Sequence, residues 1–503
     1  MNANEPIRQA QSIQKLPKKL HVIGICGVAT SALAIAFHKR GVVVTGSDKG
    51  FFPPVSTELE KQGISYYAGW HPEKMFGGLL NLNSPAVPDE KALQGGDYIV
   101  IIGTASGSAN PETILAKEKG IPTYSYPEVI GKYFAKEKSI VCSGTWGKTS
   151  SSALLSFILE QSKLDPTYMF GGISLSHESS AKLTSSNYSI FEGDEYKSSP
   201  TDLRAKFFHY KATHLLLSAV SWDHADLYPT EKEYFEAFNK LIVTIPHDGM
   251  IVACADHEGA MRVVKSFKGK TILYGRELPE AKKIAGYYGY KNVAQTKEGL
   301  ILTITHEGVE YKINSPMLGL YQSENITGCF AMANSLGIPV EKIIKAISLF
   351  KGLKRRMEKR LESKVTIIDD IAHSPEKASS VLNTLRSIYS EKIVVVFEPN
   401  IGGRSRESIV KYDNAFNDAD IVIIPRLTKL KVSEDEKEQP MEGDELASTI
   451  RKTHSHVEYM EDDEKLVTFL TSETKKGDVI AFLGSHGFRG MIEETTKRID
   501  SAK

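Results

Sequence analysis

Residues 139–151 read SIVCSGTWGKTSS, and the fold of the chain is decided by what this stretch becomes. A short apolar run ends at Cys142, then come Gly144, Thr145, Gly147, Lys148, Thr149 and Ser150, then a segment able to form a helix. A strand, a glycine turn and a helix start in that order converge backbone N–H groups on an anion. Lys148 adds a point charge for β- and γ-phosphates, and Thr149 a hydroxyl for Mg²⁺. The general pattern asks for a further glycine where Cys142 stands. A plain strand-to-helix turn is the competing reading; the flanking strand and helix favour the phosphate loop.

Upstream, LHVIGICGVATSALAIAFHKRGVVVTGSD (20–48) reads as strand, glycine turn, helix and strand, with Gly24 and Gly27 in the turn and Asp48 ending the second strand. This is a βαβ unit, but Cys26 and Ala29 occupy the slots of the second and third glycines of a dinucleotide fingerprint. Downstream, YSIFEGDEY (188–196) puts Glu192 at a strand end, with Asp194 and Glu195 after it. THLLLSAVSWDHADLY (213–228) puts His224 after another strand, flanked by Asp223 and Asp226. Oxygen and imidazole groups at strand ends beside a phosphate loop suit a Mg²⁺–nucleotide site; solvated loop acids and a structural histidine are the plainer alternative. Residues 250–315 carry short β-like runs read as a mainly antiparallel elaboration, followed by helices over Asn325–Leu336 and Val340–Phe350.

The stretch VTIIDDIAHSPEKASSVLNTLRSIYSEKIVVVFEP (365–399) again alternates strand, helix and strand, with Ser374 as N-cap and Pro375 at the first helical position. Arg355 and Arg356 precede it, and Asp370 and His373 follow its first strand. The acidic run 432–445 reads as a solvated loop. The expected class is α/β throughout, in three consecutive domains. These are a Rossmann-like N-terminal domain (1–137), a central P-loop ATPase domain (138–350) and a Rossmann-like C-terminal domain (351–503). A length of 503 residues is too great for a single core.

Lys plus Arg and Asp plus Glu each number 62, so charge gives no reason to expect nucleic acid or a membrane as partner. The cysteines Cys26, Cys142, Cys254 and Cys329 are far apart and without metal-ligand spacing, which fits free thiols in a reducing cytoplasm. The N-terminal MNANEPIRQAQSIQKLPKK has no apolar core of a signal peptide, and no stretch is apolar enough to span a bilayer.

GTWGKTS (144–150) resembles the GTxGKT loop of the Mur ligases, and the order of motifs is also theirs: E-x-D-E, D-H, R-R and D-D-x-A-H. The likeness covers nearly the whole chain. HVIGICG (21–27), VTGSD (44–48), FPPVSTELEKQGI (52–64), EGDEYKSSPTDLRAKFFHY (192–210), KGLKRRMEKR (351–360) and VFEP (396–399) look most like the branch that recycles murein tripeptide. That resemblance implies an ATP-dependent ligase. It would join the lactyl carboxylate of UDP-N-acetylmuramate to the amine of L-alanyl-γ-D-glutamyl-meso-diaminopimelate through an acyl phosphate, giving ADP and phosphate. The alternatives are the branch that adds L-alanine in de novo wall synthesis and a catalytically silent nucleotide-binding paralogue.

The family also implies site roles. Lys148 stabilises the moving phosphoryl group, and Thr149, Glu192 and His224 hold Mg²⁺. Gly144, Thr145, Gly147 and Ser150 cradle ATP with them, and Asn325 contacts adenine. Arg356 reaches the γ-phosphate, Asp370 the ribose, and His373 lies close to the nucleotide. Gly24, Gly27 and Asp48 face the UDP-sugar. A cytoplasmic monomer or weak dimer is expected, with a hinge near Phe350–Leu353 built on Gly352. The chain departs from the family at Trp146, Ala219, Tyr321 and Gln322, at AHSP and at EPNIGGRSRE (398–407), and Asn239 stands where some members carry a carbamoylated lysine.

Overall fold

A computed structural model describes residues 15–51, 55–75, 97–103, 107, 109–280, 283–428 and 439–501. Its strands form three sheets, one for each expected α/β segment. The first holds Ser65–Ala68, Val43–Asp48, Lys19–Ile23, Tyr98–Ile102 and Thr123–Ser125, in that spatial order and all parallel. Strand order reverses at Lys19–Ile23, so the glycine turn that follows sits at the sheet's topological switch point.

In the second sheet Lys138–Ser143 lies between Tyr188–Gly193 and His214–Leu217, parallel to both. Cys142 is in register with Glu192, and Ser143 with Gly193 and Leu217. The three chains therefore leave the sheet at one edge, which is what gathers the chemistry there.

The antiparallel reading of 250–315 needs correction. Met250–Cys254, Lys270–Arg276 and the start of Tyr288–Gln295 extend the sheet in parallel. The helix Glu258–Val264 supplies the first crossover that parallel pairing requires. Tight turns come later: Thr296 N and Gly299 N each donate to the other's carbonyl before Leu300–His306, and Glu307 (φ 48°) and Gly308 (φ 80°) turn that strand into Val309–Ser315.

The third sheet pairs Glu358–Glu362 antiparallel with Thr366–Asp370, then continues in parallel through Val479–Gly484, Ile393–Glu398, Ile421–Pro425 and Val457–Met460. Alternate residues feed cores on its two faces, Ile368, Val395 and Ala481 on one, Ile367, Val396 and Phe482 on the other. Burial on both faces explains why these strands are continuous apolar runs. Ser374 caps the helix Pro375–Ile388 by accepting from Lys377 N, with Pro375 at N1. The acidic run lies outside the described residues as far as 438. Its end departs from the loop reading, because Gly443–Glu445 open the helix Gly443–Ile450.

The chain forms two compact units, one within 1–291, 304–311 and 324–347, the other within 292–303, 312–323 and 348–503. The first sheet lies in the first unit, as do the strands of the second as far as Lys270–Arg276. One apolar core there runs from Leu33 and Phe37 through Phe134 and Phe207 to Phe238. Gly352, in the second unit, has φ 85°.

Candidate active site

The loop Gly144–Gly147 joins the buried strand Lys138–Ser143 to the helix Lys148–Gln161. Gly147 is the N-cap residue, left-handed at φ 80°, and no side chain caps the helix. The first N–H groups of that helix are thus free of a capping side chain, the usual setting for an anion. Thr145 N donates to Ala219 O at 2.7 Å and Ser221 N to Thr145 Oγ1 at 2.8 Å, tying the loop to the neighbouring strand end. Ala219 is buried and acts here through its backbone. A Cβ on Gly144 would come within 2.7 Å of Ala219 O, and one on Gly147 would collide with Asn325 Oδ1. Asn325 is buried, and Ser151 Oγ stands 3.4 Å from its Oδ1.

Thr149 Oγ1 donates to Glu192 Oε1 at 2.7 Å, while Glu192 Oε2 accepts from Gly171 N at 2.5 Å. Lys148 Nζ lies 2.8 Å from Gly144 O, 3.2 Å from Thr145 O and 3.0 Å from Glu195 Oε2. Glu195 is fully buried; Tyr234 OH donates to its Oε1 at 3.2 Å, and His224 Nε2 is 3.7 Å from the same oxygen. Burial pushes the Glu195 carboxyl up, against the pull of Lys148. His224 is held at φ 55°, a left-handed conformation that costs a non-glycine residue energy. Asp194 is engaged elsewhere, 2.5 Å from Lys206 Nζ; burial opposes its ionisation, yet Lys206 keeps its carboxyl below the usual range.

Thr149 and Glu192 therefore meet directly, and Lys148 and His224 meet through Glu195. The set fits a nucleoside triphosphate with Mg²⁺: an uncapped helix start, a loop with no room for Cβ atoms, an ammonium, and adjacent hydroxyl and carboxylate oxygens. Glu195 is what motif reading passed over, being seen only as a trailing acid. Its position three residues beyond Glu192 was the available signal.

In the first sheet, Gly24 (φ 81°) donates to Ser47 O at 2.8 Å, and Cys26 N donates to Asp48 Oδ2 at 2.9 Å. The turn that begins at Gly24 is thus tied to Asp48, the last residue of the neighbouring strand. Gly27 faces Thr30 Oγ1, which a Cβ would approach to 2.8 Å. Behind the turn sits the unanticipated Glu112, fully buried, accepting from Ser47 Oγ, from Tyr67 OH at 2.7 Å and from His71 N at 2.8 Å. Burial opposes its ionisation, but His21, Ser47, Tyr67 and His71 hold its carboxyl below the usual range.

Three family models match in succession: "Mur ligase family, catalytic domain" over residues 19–138, "Mur ligase middle domain" over 142–333, and "Mur ligase, glutamate ligase domain" over 355–486. The UDP-N-acetylmuramate–L-alanine ligase of Pelagibacter ubique is 31% identical over 414 residues, covering 80% of this chain and 82% of its own. The chain belongs to the Mur ligase family. The UDP-N-acetylmuramate–L-alanyl-γ-D-glutamyl-meso-2,6-diaminoheptandioate ligase of Haemophilus influenzae is 29% identical over 395 residues, 76% of this chain and 80% of its own. Among solved structures, the UDP-N-acetylmuramate–alanine ligase of Thermotoga maritima shares the fold at TM-score 0.72 and 21% identity, covering 96% of this chain and all of that one.

Mur ligases are ATP-dependent amide ligases, and this one presents further polar groups in its second unit. Arg355 (φ 57°) reaches Asp369 at 3.3 Å and donates to Ser485 O and His486 O, so it is a structural residue. Arg356 is exposed, and its charge acts on Asp370 and Tyr321. Asp370 is buried and accepts from Met357 N and Ala372 N, each at 2.7 Å; burial raises its carboxyl. His373 Nδ1 is 2.7 Å from Ile371 O, and burial, then Lys377, lowers its imidazole. In the departing stretch NIGGRS, Arg404 is buried and donates to Met441 O at 2.9 Å and Thr428 O at 3.1 Å. Asn239 is exposed on the helix Glu231–Thr244, beside Lys240 and Arg262. Among the described residues no helix is long and apolar enough to cross a membrane.

Proposed function

We propose that this Mur ligase forms an amide at the lactyl carboxylate of UDP-N-acetylmuramate, with ATP activating that carboxylate. The observation that carries the reading is the meeting of Lys148, Thr149, Glu192, Glu195 and His224 around an uncapped helix start. Bound ATP supplies the phosphoryl group that makes the carboxylate an acyl phosphate. Thr149, Glu192 and His224 hold Mg²⁺. Lys148 offsets charge on the phosphoryl oxygens, and Arg356 adds a second cation. Asn325 would face the base and Asp370 the ribose, with His373 close to the nucleotide, and Gly24, Gly27 and Asp48 would face the UDP-sugar. Residues 1–137, 138–350 and 351–503 take the roles of UDP-sugar, ATP and acceptor domains.

For the acceptor, the comparisons support L-alanine better than the tripeptide, since the relative at 31% identity carries the L-alanine name. The tripeptide is the second reading. It is favoured by FPPVSTELEKQGI (52–64) and EGDEYKSSPTDLRAKFFHY (192–210), and by the likeness to the Haemophilus influenzae ligase.

The test is ADP release from Mg-ATP and UDP-N-acetylmuramate with L-alanine, with tripeptide, or with no acceptor. Turnover with L-alanine alone supports the first reading, and turnover with tripeptide alone replaces it with the second. No turnover with either acceptor overturns both and leaves a silent nucleotide-binding paralogue.

A further inference from the structure

Three side chains with metal-ligating atoms, a thiol, an imidazole and a carboxylate, converge near the phosphate loop, and the ligase chemistry above uses none of them. Cys254 ends the strand Met250–Cys254, and His257 is the N-cap residue of the helix Glu258–Val264. Glu324 comes from the first turn of the helix Gln322–Ser335, distant in sequence. One ligand atom from each lies within 4.8 Å of the other two. His257 Nε2 is 2.8 Å from Glu324 Oε2.

We infer that Cys254, His257 and Glu324 form a binding site for one soft divalent transition metal, with Zn²⁺ the best fit. A thiolate, an imidazole and a carboxylate are the ligand types that Zn²⁺ accepts together, and it is the thiolate that Mg²⁺ does not take. Cys254-x-x-His257 places two ligands on one short segment, the spacing that zinc sites exploit. Ligand atoms of a tetrahedral zinc site stand about 3.3–3.8 Å apart, so side-chain adjustments of about 1 Å close the present triangle. Asp256, between the two, is not a competitor. Its carboxylate accepts from Arg276 N and Tyr290 OH, both at 3.0 Å.

The sulfur end of the site is sealed, since Cys254 has 0% exposure, while the His257 and Glu324 side chains keep 26% and 15%. The side of His257 and Glu324 is therefore the one by which a metal would enter. Burial keeps the Cys254 thiol protonated in the metal-free protein.

The site also touches the nucleotide loop. The Trp146 ring stands edge-on to His257 with centroids 5.3 Å apart, and Asn325, next to Glu324, lies against Gly147. A bound metal would fasten the strand end to the helix that carries Asn325.

The experiment is titration of the full chain with Co²⁺ in excess Mg²⁺, followed by absorbance. One Co²⁺ per chain, with a thiolate-to-cobalt charge-transfer band and intense tetrahedral d–d bands, is expected, and Zn²⁺ should bleach both. Cys254→Ser should remove the charge-transfer band. The less buried His257→Gln and Glu324→Gln should weaken Co²⁺ binding about tenfold or more, and they decide the matter alone where Cys254→Ser fails to fold. Absence of the band in the wild type, its persistence in Cys254→Ser, or unchanged affinity in both Gln variants overturns the site.

Discussion

Lys148 and Glu195 form a buried ion pair beside the phosphate loop, with Nζ 3.0 Å from Oε2 and the two side chains 13% and 1% exposed. The lysine that should serve a phosphate is thus already aimed and balanced by a carboxylate from the adjacent strand end. Glu195→Gln keeps the shape and removes the counter-charge. Breaking a buried pair this way should lower unfolding free energy by about 1–3 kcal/mol and kcat by about tenfold or more. Urea unfolding and ADP release check it; unchanged kcat would assign the pair to the fold alone.

Lys148→Ala acts at the other end of the pair. ADP formation should fall by at least about 10²-fold, while UDP-sugar binding, followed by calorimetry, stays close to wild type. Loss of both would separate Lys148 from the role proposed for it.

Gly147→Ala tests the loop backbone. The residue is at φ 80°, and its Cβ would collide with Asn325 Oδ1. Strain of about 1–3 kcal/mol is expected, together with weaker ATP binding, read by thermal melting with and without nucleotide. A melt equal to wild type would show that the loop relaxes freely.

Glu324→Gln has a pH signature. The hydrogen bond that His257 donates to the Glu324 carboxylate raises the imidazole above its ordinary value. The stabilisation is therefore fully present below the unfolded value near 6.5 and is lost as pH rises through the folded one. With chelator present, the variant should be less stable than wild type by about 1 kcal/mol at acid pH and by less at alkaline pH. An equal difference at both extremes would remove the charged pair from the account.

Ser374→Ala removes the cap from the helix Pro375–Ile388. A loss of about 1 kcal/mol in the second unit is expected, measured by hydrogen exchange along that helix. Undisturbed exchange there would show that Pro375 alone sets the helix start.

Much of the fold could be read from short stretches. The phosphate loop, the glycine turn at Gly24 and the Ser374–Pro375 helix start depend on φ preferences and hydrogen bonds within a few residues. The carboxylate roles were less legible. Glu192, Asp194 and Glu195 stand together in sequence, yet they end on Thr149, Lys206 and Lys148 respectively. Alternation along the strand and the loop beyond it sends each to a different neighbour. The parallel pairing of Met250–Cys254 with Lys270–Arg276 was misread because short apolar runs do not reveal which strands lie side by side.

By itself, then, the sequence determined the α/β alternation, the anion-binding loop and the likeness to the Mur ligases, because these rest on local periodicity and on residues close together in the chain. Only the tertiary structure decided that Glu195 balances Lys148, that Glu112 is buried behind the Asp48 turn, and that Glu324 meets Cys254 and His257. Those are contacts between segments tens of residues apart, and the packing of whole sheets and helices selects them.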